Sequence, residues 1–254
     1  MGETARLVAE IRGRIEETAG HRPPSPERKF NKDDEFVAYE LKTEAWRAIM
    51  RGFRTRIQAL SLDDRLDLAE MLFRQGEGWL GHSAIDVLAL SVRELGPQNF
   101  ERLNSMADDF TGWSHVDDVC ISVLQPLLLA HREATLALLE RWNRSPNRWK
   151  RRASVVAFVR KVGESGLFTE EALGLCENLV RDPEDLVRKG VGWALKDVMR
   201  GAPDRVRDYV KELRRRGVSS TITLYAIRDL KGPARAELLS IEPQRREKTQ
   251  MSKT

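Results

Sequence analysis

The chain of 254 residues has only two cysteines, Cys120 and Cys176, 56 positions apart and each inside an apolar helical stretch. So few exclude a disulfide framework and point to a reducing compartment. No apolar run approaches the roughly 18 residues of a membrane span, and Met-Gly-Glu-Thr-Ala-Arg at the N-terminus lacks the apolar stretch of a signal peptide. A soluble, cytoplasmic protein with no membrane partner is expected. His21, His82, His115 and His131 have no partner at metal-ligand spacing, so a zinc site is unsupported. Neither Gly-x-x-x-x-Gly-Lys-Ser/Thr nor Gly-x-Gly-x-x-Gly occurs, so no phosphate loop is signalled. No serine stands in a nucleophile elbow. No metal and no cofactor are expected. Segments alternating over strand length are missing too.

What is present is helix after helix. Hydrophobic residues make up 41% and charged residues 32%, which fits a modest core under a heavily charged surface. The 43 basic against 39 acidic side chains give +4, a weak pointer to nucleic acid unless clustered on one face. Leu7, Val8, Ile11 and Ile15 predict an amphipathic helix over 3–18. The charged stretch 21–35, with three prolines, reads as an exposed connection. Helices are predicted over 43–59, 62–75, 79–95, 97–108, 114–129, 131–143, 147–162, 169–181, 184–200, 203–216 and 219–240. Ser61 and Thr169 are candidate N-caps, and Pro97, Pro146, Pro183 and Pro203 suit first turns. The last residues, from about 241 to 254, carry too little apolar surface to order themselves. The expected organisation is an N-terminal helix and connection (1–35), a repeat domain (36–240) and a tail (241–254).

The clearest repeat is 169–200. Ala172, Leu173, Leu175, Cys176 and Leu179 lie on one helix; Asp-Pro-Glu-Asp follows, and then Leu-Val-Arg-Lys-Gly-Val-Gly-Trp-Ala-Leu-Lys-Asp-Val. This resembles the HEAT-type pattern, and 131–161 and 203–230 look like more degenerate units. One hairpin cannot bury its apolar face alone, so neighbours stack. The expected fold is all-α, a curved solenoid of HEAT-like helical hairpins whose inner surface takes a ligand.

At 111–118, Thr-Gly-Trp-Ser-His-Val-Asp-Asp sets Trp113 four positions before Asp117, on one helical face. Arg148 and Arg152 follow, then Lys189 and Trp193, each pair again four apart. Asp117 to Arg152 is 35 residues and Arg152 to Trp193 is 41, close to a hairpin-repeat period. The arrangement reads as one site drawn from three repeats. Singly, each residue has a plainer reading. Tryptophans in helical arrays are ordinarily core, and Trp46, Trp79, Trp142 and Trp149 are assigned there. The run Arg148, Lys150, Arg151, Arg152 reads as a solvated face, and His115, two positions from Trp113, points elsewhere.

Gly-Trp-Ser-His-Val-Asp (112–117), Asn-Arg-Trp-Lys-Arg-Arg-Ala (147–153) and Val-Arg-Lys-Gly-Val-Gly-Trp-Ala-Leu (187–195) together resemble the AlkD-like, HEAT-repeat alkylpurine DNA glycosylases of DNA alkylation repair, in that family's order and spacing. The resemblance covers about 60–230; the proline-rich 21–35 departs from it. It implies a monomeric, nucleoid-associated enzyme of base excision repair. Its substrate would be duplex DNA containing cationic N3- or N7-alkylated purines, such as 3-methyladenine and 7-methylguanine, hydrolysed at the N-glycosidic bond without base extrusion. It implies catalytic roles for Asp117, Trp113 and Trp193, and a phosphate contact for Arg152. Arg148, Arg151 and Lys189 would add salt-dependent grip on DNA. Two alternatives stay open: a non-catalytic module binding unusual or damaged DNA, and a protein-binding scaffold.

Overall fold

A computed structural model describes residues 2–28 and 36–242. The fold is all-α, as expected, and its contacts divide the chain into two compact units, 1–157 and 158–254.

The first unit opens with α1 (Glu3–Thr18), which buries Leu7, Val8, Ile11 and Ile15 against α2 (Thr43–Gln58) and α3 (Leu62–Phe73). Between α1 and α2 the chain forms the one pairing of strands among the described residues. Ser25–Pro26 (β1) lies antiparallel to Val37–Ala38 (β2), in the register Ser25↔Ala38 and Pro26↔Val37. Two residues per strand are too few to show an alternating pattern, so the ladder was invisible in the sequence. The rest of the 21–35 connection, from 29 on, lies outside the described residues, as does the tail from 243.

Ser61 caps α3 as expected, its hydroxyl accepting from Asp64 N–H at 3.1 Å. α3 packs on α4 (Gly78–Ser91). Then come a 3₁₀ turn at Pro97–Asn99, α5 (Phe100–Met106), a second 3₁₀ turn at Ala107–Asp109 and α6 (Trp113–Val119). The span expected as a single helix over 114–129 is α6, a π turn at Cys120–Leu124, and α7 (Gln125–Ala130). α8 (Arg132–Asn143) and α9 (Arg148–Val156) form the next hairpin.

The second unit holds α10 (Arg160–Glu164), α11 (Thr169–Leu179), α12 (Asp185–Gly201), α13 (Pro203–Arg215), α14 (Ser220–Ala226) and α15 (Gly232–Leu239). Two predicted helices are broken. The span 147–162 ends at Val156 and restarts at Arg160, whose φ is 55° and whose N–H donates to the buried Asp197 carboxylate at 2.7 Å. That carboxylate lies 37 residues further on and redirects the chain where no local signal would stop a helix. The span 219–240 is split around Arg228–Lys231. There Lys-Gly-Pro was legible punctuation, with Gly232 at φ 58° and Pro233 opening α15. Thr169 is the first residue of α11 and not its cap; its hydroxyl donates to Gly166 O at 3.0 Å. Pro97 and Pro203 stand at first turns, whereas Pro146 and Pro183 each precede the cap residue.

The repeat is visible in the hydrogen bonds. Arg151 Nη1 donates to the carbonyls of Ser145 and Pro146 at 3.0 and 2.9 Å; 37 residues later Arg188 Nη1 donates to those of Asp182 and Pro183 at 2.7 and 2.8 Å. Each arginine satisfies the carbonyls of its own inter-helix turn, which have no partner within a helix. Within the second unit, Gly192 lets α12 lie directly on α14: a Cβ there would fall 2.7 Å from Tyr225 Cβ and 3.1 Å from Ile222 O. No helix among the described residues is long and apolar enough to cross a membrane.

Candidate functional site

α6 begins at Gly112, where the chain must pass close under an aromatic ring. A Cβ on Gly112 would lie 2.5 Å from the Phe36 ring. The helix then presents Trp113 and, one turn on, Asp117. Asp117 meets α9, whose Arg152 donates to it three times: Nη2 to Oδ1 at 2.8 Å, Nη2 to Oδ2 at 3.1 Å and Nε to Oδ1 at 3.1 Å. Such a guanidinium fork fixes the plane of a carboxylate as well as its charge. Arg152 is 5% exposed and the Asp117 side chain 16%. The carboxylate is thus held at the edge of the protein, neither sealed in nor turned out to bulk water. Arg152 spends its fork on Asp117, a use the sequence reading, which gave it to a phosphate, did not include.

The other basic residues named from sequence have structural engagements of their own. Arg148 lies with its guanidinium 4.4 Å over the Trp149 ring, and Arg151 holds its turn. Lys189 pairs with Asp185 at 2.7 Å on the half-exposed face of α12. Trp193, one turn beyond Lys189, is partly exposed in the second unit, with the Arg160 guanidinium 5.9 Å from its ring. The structure of the first unit therefore brings Trp113, Asp117 and Arg152 together, and the second unit presents Lys189 and Trp193 on one helix.

Trp142 and Trp149 are core, as expected. Trp46 and Trp79 are not. Both are partly exposed and, with Trp113, line a cleft of about 840 Å³ in the first unit. The indole N–H of Trp46 donates to Ser83 Oγ at 3.0 Å and that of Trp79 to Tyr39 O at 3.0 Å. Glu77 ties the wall down: its carboxylate accepts from Tyr39 N–H and Leu80 N–H, both at 2.9 Å, and burial raises its pKa. His82 and Asp118 were also missed. His82 Nδ1 meets Asp118 Oδ2 at 2.9 Å, and Asp118 Oδ1 accepts from Ser122 at 3.0 Å. Their separation of 36 residues nearly equals the 35 of Asp117 and Arg152, so the repeat interval was a usable signal.

His115 is core, as its position implied. Its Nε2 meets Gly78 O at 2.9 Å, which makes Nε2 the protonated nitrogen, and its ring packs so tightly on Gly81 that a Cβ there would lie 2.4 Å away. Burial, with His82 alongside, lowers its pKa to about 3. The sign follows. The unfolded chain, with an ordinary value near 6.5, binds this proton more readily than the folded one. The contribution is intact above about pH 6.5 and declines by about 1.4 kcal/mol per unit as pH falls toward 3. Urea unfolding between pH 6.5 and 5 is expected to show this slope, and His115→Gln to flatten it. An unchanged slope in the variant would assign the effect to other groups. Among the described residues no three His, Cys, Asp or Glu side chains are grouped to hold a metal ion.

An all-α stack of helical hairpins, with a carboxylate clamped beside an indole, defines a class: helical-repeat proteins with a polar site set on paired helices. The chain belongs to the DNA alkylation repair enzyme family, whose sequence model matches residues 21–230. Two solved structures share the fold. One is a predicted DNA alkylation repair enzyme from Enterococcus faecalis, 14% identical, covering 87% of this chain and 95% of that one at a TM-score of 0.66. The other is the Pseudomonas fluorescens alkylpurine DNA glycosylase AlkC bound to DNA containing an abasic site analog. It is 16% identical, covering 94% of this chain and 68% of that one at a TM-score of 0.60. No curated protein matches the chain in sequence.

Proposed function

We propose that the chain is a monofunctional DNA glycosylase. It hydrolyses the N-glycosidic bond of cationic N3- or N7-alkylated purines in duplex DNA, without extruding the base. The observation that carries this is the Asp117 carboxylate, held by Arg152 one helical turn from Trp113, in a chain of the alkylation repair family.

The chemistry fits those groups. An alkyl group at N3 or N7 gives the purine a positive charge, and such a base departs neutral with no obligatory general acid. What remains is an oxocarbenium-like sugar and the placing of a water. A fixed carboxylate does both, as in the inverting glycosidases. The Arg152 fork is then a positioning device for Asp117. Trp113 offers a ring face to the cationic nucleoside, an attraction of about 0.5–2 kcal/mol. Trp193 enters the reading through its sequence motif, as the second indole of the family pattern. DNA is the expected partner, which the DNA-bound AlkC relative supports, with an affinity that falls as salt rises.

The test is release of 7-methylguanine from methylated duplex, wild type against Asp117→Asn. No release by either protein, with DNA binding intact, would favour a non-catalytic binding module. Trp113→Ala is expected to slow excision of cationic lesions about 3- to 30-fold while affecting neutral lesions less. Equal losses on both would remove the cation–π role.

A further inference from the structure

α2 has four exposed arginines, and they divide into two groups. Arg56 turns to α1, where it pairs with Glu3 at 2.8 Å and with Glu10. Arg47, Arg51 and Arg54 stand on the opposite face. Steps of four and three residues keep them within about 60° of arc and spread them over about 10.5 Å of helix axis. None of the three makes an ion pair or hydrogen bond among the described residues. That is not the habit of this chain. α13 and its C-cap are as rich in arginine, yet there Arg205 pairs with Glu170 at 2.8 Å, Arg216 with Glu177 at 2.6 Å, and Arg207 with Asp204.

Two acids lie near the row and leave it positive. Glu44, three residues before Arg47, is exposed and joined to it by no ion pair among the described residues, so water screens it. Asp86 of α4 shares a hollow with the row and attracts Arg54, which it offsets in part. Arg47 and Arg51 stay uncommitted. The face also lacks an apolar anchor: the exposed large hydrophobic side chains among the described residues are Leu129, Leu167, Leu224 and Leu239, none on α2. A protein partner would find no pocket or knob of the kind that carries binding energy. Guanidinium forks, by contrast, suit phosphate oxygens. The length fits as well. One strand of a duplex advances about 3.4 Å per phosphate, so about 10.5 Å spans three of them. Arg47, at the start of the row, also lines the cleft that holds Trp113, which sets the row beside the candidate site.

The geometry points to the Arg47–Arg51–Arg54 face of α2 as a phosphate track, taking about three consecutive phosphates of one DNA strand next to the Trp113 cleft. That the polyanion is DNA rests on the glycosylase reading; that the row takes a polyanion does not. Its contacts go to the backbone alone, so it reads no sequence and grips undamaged and alkylated duplex alike. The track raises occupancy of DNA and leaves the chemical step to Asp117.

The test is fluorescence-anisotropy binding to a labelled, undamaged duplex from about 50 to 200 mM salt. Arg47→Gln and Arg51→Gln are each expected to lower the slope of log affinity against log salt by about 0.9, the share of one phosphate contact. Arg54→Gln should lower it less, because Asp86 already engages that arginine. The triple variant should lose about 2 to 3 in slope and bind on the order of 10²-fold more weakly at about 0.1 M salt. A control triple, Arg205→Gln, Arg207→Gln and Arg216→Gln, removes the same charge from the paired sites of α13 and should keep the slope. No binding by the wild type, an unchanged slope in the α2 triple, or an equal loss in both triples overturns the proposal. Single-turnover excision from methylated duplex is followed on the same preparations at saturating protein, where the α2 triple should match the wild type. A lower saturated rate would put the row in the reaction and overturn its role as a grip. Excision with an unchanged slope removes the track and leaves the glycosylase reading standing; a lost slope, with no excision even by the wild type, does the reverse.

Discussion

Asp117→Asn is expected to lower release of 7-methylguanine from methylated duplex by about 10²- to 10⁴-fold, the range for loss of a positioned acid or base. Binding to the same duplex should change little, because the carboxylate matters most when the sugar becomes positive. The substitution is nearly isosteric, and the amide oxygen can still accept from Arg152 Nη2, now 2.8 Å from Oδ1. It also leaves the buried Arg152 guanidinium without its counter-charge, which costs stability, so a thermal melt beside the assay separates a fold defect from a dead site. Gel-shift affinity and single-turnover excision together decide the matter. Excision at the wild-type rate would remove Asp117 from the mechanism. A parallel fall in affinity and excision would make it a binding residue.

Arg152→Ala should produce the largest loss of stability. The guanidinium is buried and three of its hydrogen bonds go to one carboxylate. Removing it strands Asp117 with 16% side-chain exposure and leaves the space of a long side chain empty. Breaking a buried pair from one side costs about 3–5 kcal/mol; the partial exposure of Asp117 argues for the lower end. A melting temperature lower by about 6–12 °C is then expected for a chain of this size. The double variant Arg152→Ala with Asp117→Asn should recover part of that loss, since no charge is left without its partner. Arg152→Lys keeps the charge but not the fork, and should retain stability better than excision. If Arg152→Ala melts with the wild type while DNA affinity falls, the arginine belongs to the phosphate and not to the aspartate.

The two variants probe a pair whose members were each visible in the sequence, but whose contact was not. Spacing of four placed Trp113 and Asp117 on one face, and the interval of 35 residues placed Arg152 one repeat away. Nothing local said that the arginine would turn toward the acid, because residues one repeat apart meet only if the hairpins stack in register. The same gap hid His82–Asp118. Trp46 and Trp79 were given to the core on the ordinary habit of tryptophan, and that fails here because Glu77 and Tyr39 pin a short segment across the start of α4 and leave a cleft beneath it. The break before Arg160 was hidden for a related reason: the group that enforces it, Asp197, arrives 37 residues later.

By itself the sequence determined the all-α class and the hairpin period, because helical periodicity and capping depend on residues a few positions apart. Only the tertiary structure decided which charges pair, which indoles face a cavity and where a long helix must break. Those outcomes depend on groups 35 or more residues distant, such as Asp117 with Arg152 and Arg160 with Asp197, which come within hydrogen-bond reach only when successive hairpins pack.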